Sequence, residues 1–124
     1  VAVSAALAAD GPSRALGARD QVSADPDLTE ALGLGRGALV ASADLLRPTP
    51  DALAAWSAEG AVAVDLQSAA VLRVAEQARV PAAAVLLLTG PVGSPTTLDD
   101  DALAAAALEA ARAGVAALGI PVSA

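Results

Sequence analysis

The sequence predicts an α/β fold in which a mixed, largely parallel sheet is flanked by helices. The main observation is an apolar run at residues 61–66, followed by an amphipathic stretch at 68–79 and a second apolar run at 82–88. A strand, a helix and a strand in this order are typical of the βαβ unit of a parallel sheet. The length of 124 residues suits one domain, which we predict to span residues 1–124.

The composition restricts both the core and the chemistry. Hydrophobic residues make up 56% of the chain, but Trp56 is its only aromatic residue, so Ala, Val and Leu must form the core. The chain contains no Cys, His or Lys. Disulfides, cysteine metal sites, histidine bases and lysine Schiff bases are therefore excluded. Three consecutive carboxylates at Asp99–Asp101 point in different directions on a helix, so we expect no metal site.

The charge excludes further classes of function. The net charge is −7 and the seven arginines are scattered, so no basic stripe is available for nucleic acid. No apolar run approaches the ~20 residues of a membrane span. The opening residues 1–10 lack a basic start and resemble a strand more than a signal peptide. We expect a cytoplasmic protein that binds neither nucleic acid nor membrane.

Turn residues separate three predicted elements in the first half of the chain. Val1–Leu7 is apolar enough for a buried strand, and the cluster Asp10–Ser13 predicts a turn after it. Asp25 is a favoured helix N-cap, and Gly33 is expected to end that short helix. The apolar residues 38–46 predict the next strand.

Three helices are predicted in the second half. Residues 51–56 form the first, on which Trp56 is a packing residue. Helical spacing predicts the buried face of the second helix, at 68–79, to consist of Val71, Val74, Ala75 and Ala78. The third is expected to begin at Thr96–Thr97 and to end at Gly119. Its buried face is predicted to consist of Leu108, Ala111, Val115 and Leu118.

Three segments resemble, in order and spacing, the C-terminal half of the nucleoside phosphorylase and nucleosidase superfamily. Residues 64–70 read VDLQSAA, similar to the family signature of an acidic residue, Met, Glu, a small residue and two alanines. Residues 8–14 resemble the family's segment with Asp or Glu, Gly, Thr and Ser, and residues 40–51 its Ser-Ala-Asp segment. The resemblance implies an αβα sandwich. Because the chain starts at Val1 and contains no Met, we expect that an N-terminal half is missing.

The resemblance implies a nucleoside site around residues 65–67. Leu66 stands where the family has a Met that contacts the ribose, and Gln67 where it has a Glu that accepts hydrogen bonds from the ribose hydroxyls. Asp65 corresponds to an acidic residue that lines the site. A second interpretation is that Asp65 caps the next helix, because Asp is favoured at helix N-termini. Thr89, which matches the Ser of a family Ser-Asp pair, is the fourth nucleoside-binding candidate.

Other positions bear on the chemistry that the resemblance implies. Ser4 stands where the family has a hydroxyl residue that contacts phosphate or ribose, although an ordinary strand residue is the alternative. Ala8 replaces an Arg of the family pattern, and Ala41 replaces an aromatic residue that stacks on the base. Gly90 replaces the Asp that protonates a departing purine.

The family reaction is cleavage of the N-glycosidic bond of a nucleoside by phosphate or water, as in a pentosyltransferase or nucleosidase. It needs no cofactor, and inorganic phosphate is the co-substrate of the phosphorylases. Because Gln67 and Gly90 depart from the pattern, no catalytic residue is assigned, and a non-catalytic structural or ligand-binding member is the alternative. We expect a nucleoside or other ribosyl molecule as the partner, and a homo-oligomer. The sequence does not distinguish a purine from a pyrimidine as the base of this nucleoside.

Overall fold

A computed structural model describes residues 1–94 and 98–121. In chain order the elements are β1 (Ala2–Ala9), α1 (Gly11–Ala15), β2 (Gln21–Ser23), α2 (Pro26–Ala31), β3 (Ala38–Ala43), α3 (Pro50–Ala58), β4 (Ala63–Asp65), α4 (Ser68–Ala78), β5 (Ala84–Val85) and α5 (Asp100–Ala117). Within these two ranges no helix combines the length and the apolar character needed to cross a membrane.

The five strands form one mixed sheet around β1. Strands β1, β3 and β4 run parallel in that order, so β3 lies between the other two. The other edge of β1 pairs with β2 and β5, both antiparallel to it. Helices α1 and α4 contact each other and β1, while α2 contacts both β1 and α5. The prediction of an α/β fold with a mixed sheet flanked by helices is therefore confirmed. The sheet is not largely parallel, because two of its strand pairings are parallel and two are antiparallel.

The predicted βαβ unit is wrong in its second strand. The apolar run at 82–88 contributes only the two-residue strand β5, and Val85 and Ala84 pair antiparallel with Ala2 and Val3 of β1. Strand β2 pairs with β1 from Ala5 onward, so only the start of this edge is open to β5. An apolar run indicates burial but not the partner or direction of a strand, which is why the sequence did not reveal this arrangement.

Several element boundaries differ from the prediction. Asp10, where a turn was predicted, is the N-cap of the short helix α1, and the three-residue strand β2 was not predicted. Strand β3 ends at Ala43, which leaves Leu46 94% exposed. The cap of α5 is Asp99, whose carboxylate accepts a hydrogen bond from the Ala102 N–H. The cap predicted at Thr96–Thr97 lies outside the described residues.

The core consists of small aliphatic side chains, as the composition required. It is made up of Val3, Ala6, Ala8, Val22, Ala24, Val40, Ala69 and Leu72. Helix α4 is also joined to the end of α1, because Arg73 Nε and Gln77 Nε2 both donate to the Leu16 carbonyl, at 3.1 and 2.8 Å. These contacts hold the C-terminal half of α4 against the end of α1.

The predicted buried faces of α4 and α5 are wrong. On α4 the buried residues are Ser68, Ala69 and Leu72, while Val71 and Val74 are more than half exposed. On α5 no residue is fully buried, and the predicted inner residues Leu108 and Leu118 are 51% and 64% exposed. Both helices are so rich in alanine that more than one face is apolar. Periodicity alone then cannot identify the face that packs on the sheet.

Helix C-termini repeat one motif, in which a residue with positive φ is followed by hydrogen bonds back to the last turn. In four helices the residue is a glycine, namely Gly17, Gly33, Gly60 and Gly119. In α4 it is Arg79, with φ 57° and ψ 40°. The Arg79 N–H donates to the Glu76 carbonyl at 3.1 Å, and the Val80 N–H to the Ala75 carbonyl at 3.0 Å. A side chain in this left-handed conformation costs roughly 1 kcal/mol, which glycine avoids.

Replacing Arg79 by glycine is therefore expected to raise the free energy of unfolding by about 1 kcal/mol and the melting temperature by about 4 °C. Urea and thermal denaturation followed by circular dichroism measure both quantities. Arg79→Ala is the control, since it removes the charge but keeps the Cβ atom. If the alanine variant gains as much stability as the glycine variant, the backbone conformation is not the cause.

Candidate functional site

Three aspartates follow the three parallel strands. Asp10 follows β1, Asp44 follows β3, and Asp65 is the last residue of β4. Ala8 on β1 is paired with Ser42 on β3, and Ser42 is paired with Asp65 on β4, so these strand ends meet at one edge of the sheet. Ligands of open α/β sheets bind outside this carboxyl edge.

The Asp65 carboxylate organises the loop that leads into α4. Its Oδ1 accepts a hydrogen bond from Ser42 Oγ at 2.6 Å, and its Oδ2 accepts from the Gln67 and Ser68 N–H groups at 3.1 and 2.7 Å. Ser42 Oγ accepts in turn from the Ala69 N–H at 2.8 Å. Two side chains from neighbouring strands thus satisfy three N–H groups at the start of α4, which would otherwise lack partners.

The carboxylates of Asp10 and Asp44 accept hydrogen bonds from the start of α1 in a similar way. Asp10 is fully buried, and its carboxylate accepts from the Ser13 N–H at 2.7 Å and from Ser13 Oγ at 2.6 Å. Asp44 accepts from the Gly11 N–H, at 3.0 Å through Oδ1 and 3.3 Å through Oδ2. The helix-capping interpretation of Asp65 agrees with its contacts, and the bonds from the Gly11 N–H to Asp44 give that carboxylate a structural role.

Leu66 and Gln67 lie between the end of β4 and the start of α4. Leu66 is 49% exposed, and Gln67 is exposed at the N-cap position of α4 without a capping bond from its side chain. Within the described residues the Gln67 carboxamide has no hydrogen-bond partner. The backbone of this loop is fixed by Asp65, while these two neighbouring side chains remain accessible at the carboxyl edge of the sheet.

Thr89 lies in a segment beside the same strand. A cavity of about 190 Å³ is lined by Val62, by Ala63 and Val64 of β4, and by residues 87–92. Thr89 therefore lies beside the strand that ends in Asp65, so three of the nucleoside-binding candidates are consecutive and the fourth is close to the strand that precedes them.

Ser4 is not brought together with these residues. It precedes Ala8 by four positions on β1, and β1 is two strands away from β4. Standard strand dimensions then separate Ser4 from Asp65 by roughly 16 Å. Ser4 instead lines a separate cavity of about 470 Å³ with Thr29, Arg36 and Gly37 among its other walls. The register of β1 shifts between Val3 and Ala5, and Ser4, which lies between them, is exposed.

Sequence reasoning missed two residues at the carboxyl edge. Ser42 was recognised only as part of a motif, and its role depends on a strand register that the motif does not contain. Arg14 donates from Nε to the Ala8 carbonyl at 3.0 Å and is otherwise exposed. Its remaining N–H groups have no partner within residues 1–94 and 98–121, and an exposed guanidinium can bind an anion. Arg14 was likewise recognised only as the last residue of the segment 8–14, and nothing in that segment indicates its bond to the Ala8 carbonyl.

No group of three or more His, Cys, Asp or Glu residues that could hold a metal ion is found in the part of the chain described by the structure.

Comparison of the sequence with models of known protein families finds no match, and comparison with curated proteins finds none either. A proposal for the function therefore rests on the residues of the carboxyl edge and on the resemblance of the three segments.

Proposed function

We propose that this chain is a nucleoside phosphorylase-like domain that binds the ribosyl part of a nucleoside or related small molecule at the loop between β4 and α4. The carboxamide oxygen of Gln67 accepts hydrogen bonds from the ribose hydroxyls, and Leu66 contacts the sugar ring. The observation that carries the proposal is the Asp65 network, which fixes this loop and leaves both side chains exposed at the edge where α/β sheets bind ligands.

The proposed role of Asp65 is positioning, not contact with the ligand. Both of its oxygens already accept hydrogen bonds from Ser42 and from the N-terminus of α4. A loop held by such bonds loses little conformational freedom when a ligand binds, which favours affinity. Thr89, next to β4, is proposed to contribute to the same nucleoside site.

The glycosidic chemistry of the family is proposed to be weak in this chain. Gly90 has no side chain with which to protonate a departing purine, and such a proton donor contributes roughly 10²–10⁴-fold to a rate. Gln67 is neutral, so it provides no negative charge to stabilise a cationic sugar in the transition state. A phosphate held at Ser4 would lie far from a ribose held at Gln67. We therefore propose binding of a ribosyl compound without efficient phosphorolysis or hydrolysis.

A non-catalytic structural domain is the second candidate. It is favoured by the use of all three strand-end aspartates as helix caps: Asp10 and Asp44 bond to the start of α1, and Asp65 bonds to the start of α4. A carboxylate that is occupied in this way is not available as an acid or base. The two candidates differ in whether any nucleoside binds.

Calorimetric titration with adenosine, inosine, guanosine and uridine tests the first proposal. At least one of them is expected to bind, and Gln67→Ala is expected to weaken that binding by about threefold to tenfold through loss of one hydrogen bond. Gln21→Ala, at an exposed position on β2, is the matched control and is expected to leave the affinity unchanged. If no nucleoside binds to the wild-type protein, the structural candidate is favoured instead.

A further inference from the structure

A cavity of about 360 Å³ is lined jointly by helix α3 and strand β4. Leu53, Trp56 and Ser57 line it from the helix, and Ala63 and Val64 line it from the strand. The remaining lining residues are Ala61, Val62 and Val92. No residue of α3 is fully buried, so the helix leaves a space beside β4 instead of filling it. The volume lies within the range of small-molecule sites, roughly 300–1,000 Å³.

Trp56 contributes the only aromatic ring of the chain to this cavity. The sequence predicted a packing residue at this position, but Trp56 is only half-buried, and no residue of α3 belongs to the buried core of the domain. Aromatic rings preferentially contact other rings in offset-stacked or edge-to-face arrangements. A planar ring compound is therefore the type of ligand that this wall of the cavity suits best.

The walls of the cavity are neutral. None of its lining residues carries a charge, although the protein has a net charge of −7. A charged ligand would lose hydration on entering and would gain no ionic partner, which is costly. The lining therefore favours a neutral ligand with a largely apolar surface.

The cavity lies along the edge of β4. Three consecutive residues, Val62, Ala63 and Val64, line it, although successive side chains of a strand point to opposite faces of the sheet. Strand β4 follows β3 at the end of the sheet, and its outer side has no strand partner among the described residues. An edge strand presents backbone N–H and C=O groups on its outer side. The cavity thus combines apolar walls with backbone donors and acceptors.

We propose that this cavity binds a neutral, planar, bicyclic compound that contains a cyclic amide. The ring system packs against the indole of Trp56. The amide presents its N–H and C=O side by side, so it pairs with the outer backbone groups of β4 as a neighbouring strand would. This proposal does not rest on a ribose site at Gln67, because Gln67 does not line the cavity. For so small a ligand we expect a dissociation constant on the order of 100 µM.

A fluorescence titration with 2-quinolone, a bicyclic compound with a cyclic amide, tests the proposal. The chain has one Trp and no Tyr, so the emission reports on Trp56 alone. We expect 2-quinolone to change this emission in a saturable way. N-methyl-2-quinolone keeps both rings but lacks the N–H donor, and is expected to bind about threefold to tenfold more weakly. No saturable change with 2-quinolone, or equal affinities of the two compounds, would overturn the proposal.

Variants of Trp56 test the ring contact by calorimetric titration with 2-quinolone. Trp56→Leu is expected to weaken binding by about tenfold, whereas Trp56→Phe, which keeps an aromatic ring, is expected to weaken it by about threefold at most. Leu118→Ala shortens an exposed apolar side chain outside the cavity and is expected to leave the affinity unchanged. Circular dichroism checks that each variant is folded.

A Trp56→Leu variant that binds 2-quinolone as tightly as the wild type would contradict the proposed site. If this variant does not fold, the comparison of 2-quinolone with N-methyl-2-quinolone on the wild-type protein decides, because it needs no substitution. Stronger binding of 2-quinolone, with a saturable change in the Trp56 emission, supports the proposal. Any other result of that comparison rejects it.

Discussion

Replacing Asp65 by alanine is expected to lower the free energy of unfolding by roughly 3 kcal/mol. The substitution leaves the Ser42 hydroxyl and the N–H groups of Gln67 and Ser68 without their acceptor. Hydrogen bonds to a charged group are the stronger kind, and buried donors that lose a partner are costly. Urea denaturation, with the slope compared between variants, measures the change.

A second variant measures the contribution of Ser42 to the Asp65 network, and a third is a control at another helix. Ser42→Ala removes the bond to Oδ1 of Asp65 and the acceptor of the Ala69 N–H, and is expected to cost about 1–3 kcal/mol. Asp51→Ala is the control, because Asp51 also lies in the first turn of a helix but is exposed. Its loss is expected to cost about 0.5 kcal/mol. Equal losses for Asp65→Ala and Asp51→Ala would show that the network does not stabilise the fold.

Replacing Gly37 by alanine is expected to lower the free energy of unfolding by about 1–3 kcal/mol. A Cβ atom at this position would lie 2.8 Å from Ser4 Cβ, 3.0 Å from Thr29 Cγ2 and 3.3 Å from Ser4 Cα. Ser4 belongs to β1, which is paired on both edges, so its backbone cannot easily move away. Thermal and urea denaturation measure the loss.

Gly114→Ala is the matched control for Gly37→Ala. A Cβ atom at Gly114 would meet no atom within 4 Å, apart from its own helix and chain neighbours. Because alanine favours helices, this variant is expected to gain about 0.5–1 kcal/mol. The expected result is that the free energy of unfolding falls in Gly37→Ala and rises in Gly114→Ala. A Gly37→Ala variant as stable as the wild type would show that β1 and the segment before β3 do not pack as closely as described.

The elements with strong local signals could be predicted from the sequence. Asp25 and Gly33 delimit α2 closely, and Gly119 ends α5, because capping depends on residues next to each other in the chain. The strand at the start of the chain was also predicted, since its apolar run is long. The pairing of β5 with β1 could not be predicted, because it depends on which edge of the sheet remains open.

Local sequence patterns also could not predict which helix faces are buried or which bonds form at the centre of the candidate site. Val71 on α4 and Leu108 on α5 were predicted to be buried, but alanine-rich helices present apolar residues on several sides. At the site, the motif containing Asp65, Leu66 and Gln67 could be found from the sequence. The bond from Ser42 to Asp65 joins residues 23 positions apart and depends on the register between β3 and β4, which no local pattern contains.

The measurement that tests the proposed function most directly compares a nucleoside with its analogue that lacks both ribose hydroxyls. Adenosine against 2′,3′-dideoxyadenosine, and uridine against 2′,3′-dideoxyuridine, are titrated into the wild-type protein and into Gln67→Glu. We expect at least one nucleoside to bind about tenfold more tightly than its dideoxy analogue, and Gln67→Glu to increase this preference, because a carboxylate accepts stronger hydrogen bonds from hydroxyl groups. Equal affinities within each pair, or no binding of either nucleoside, would contradict a ribose site at Gln67.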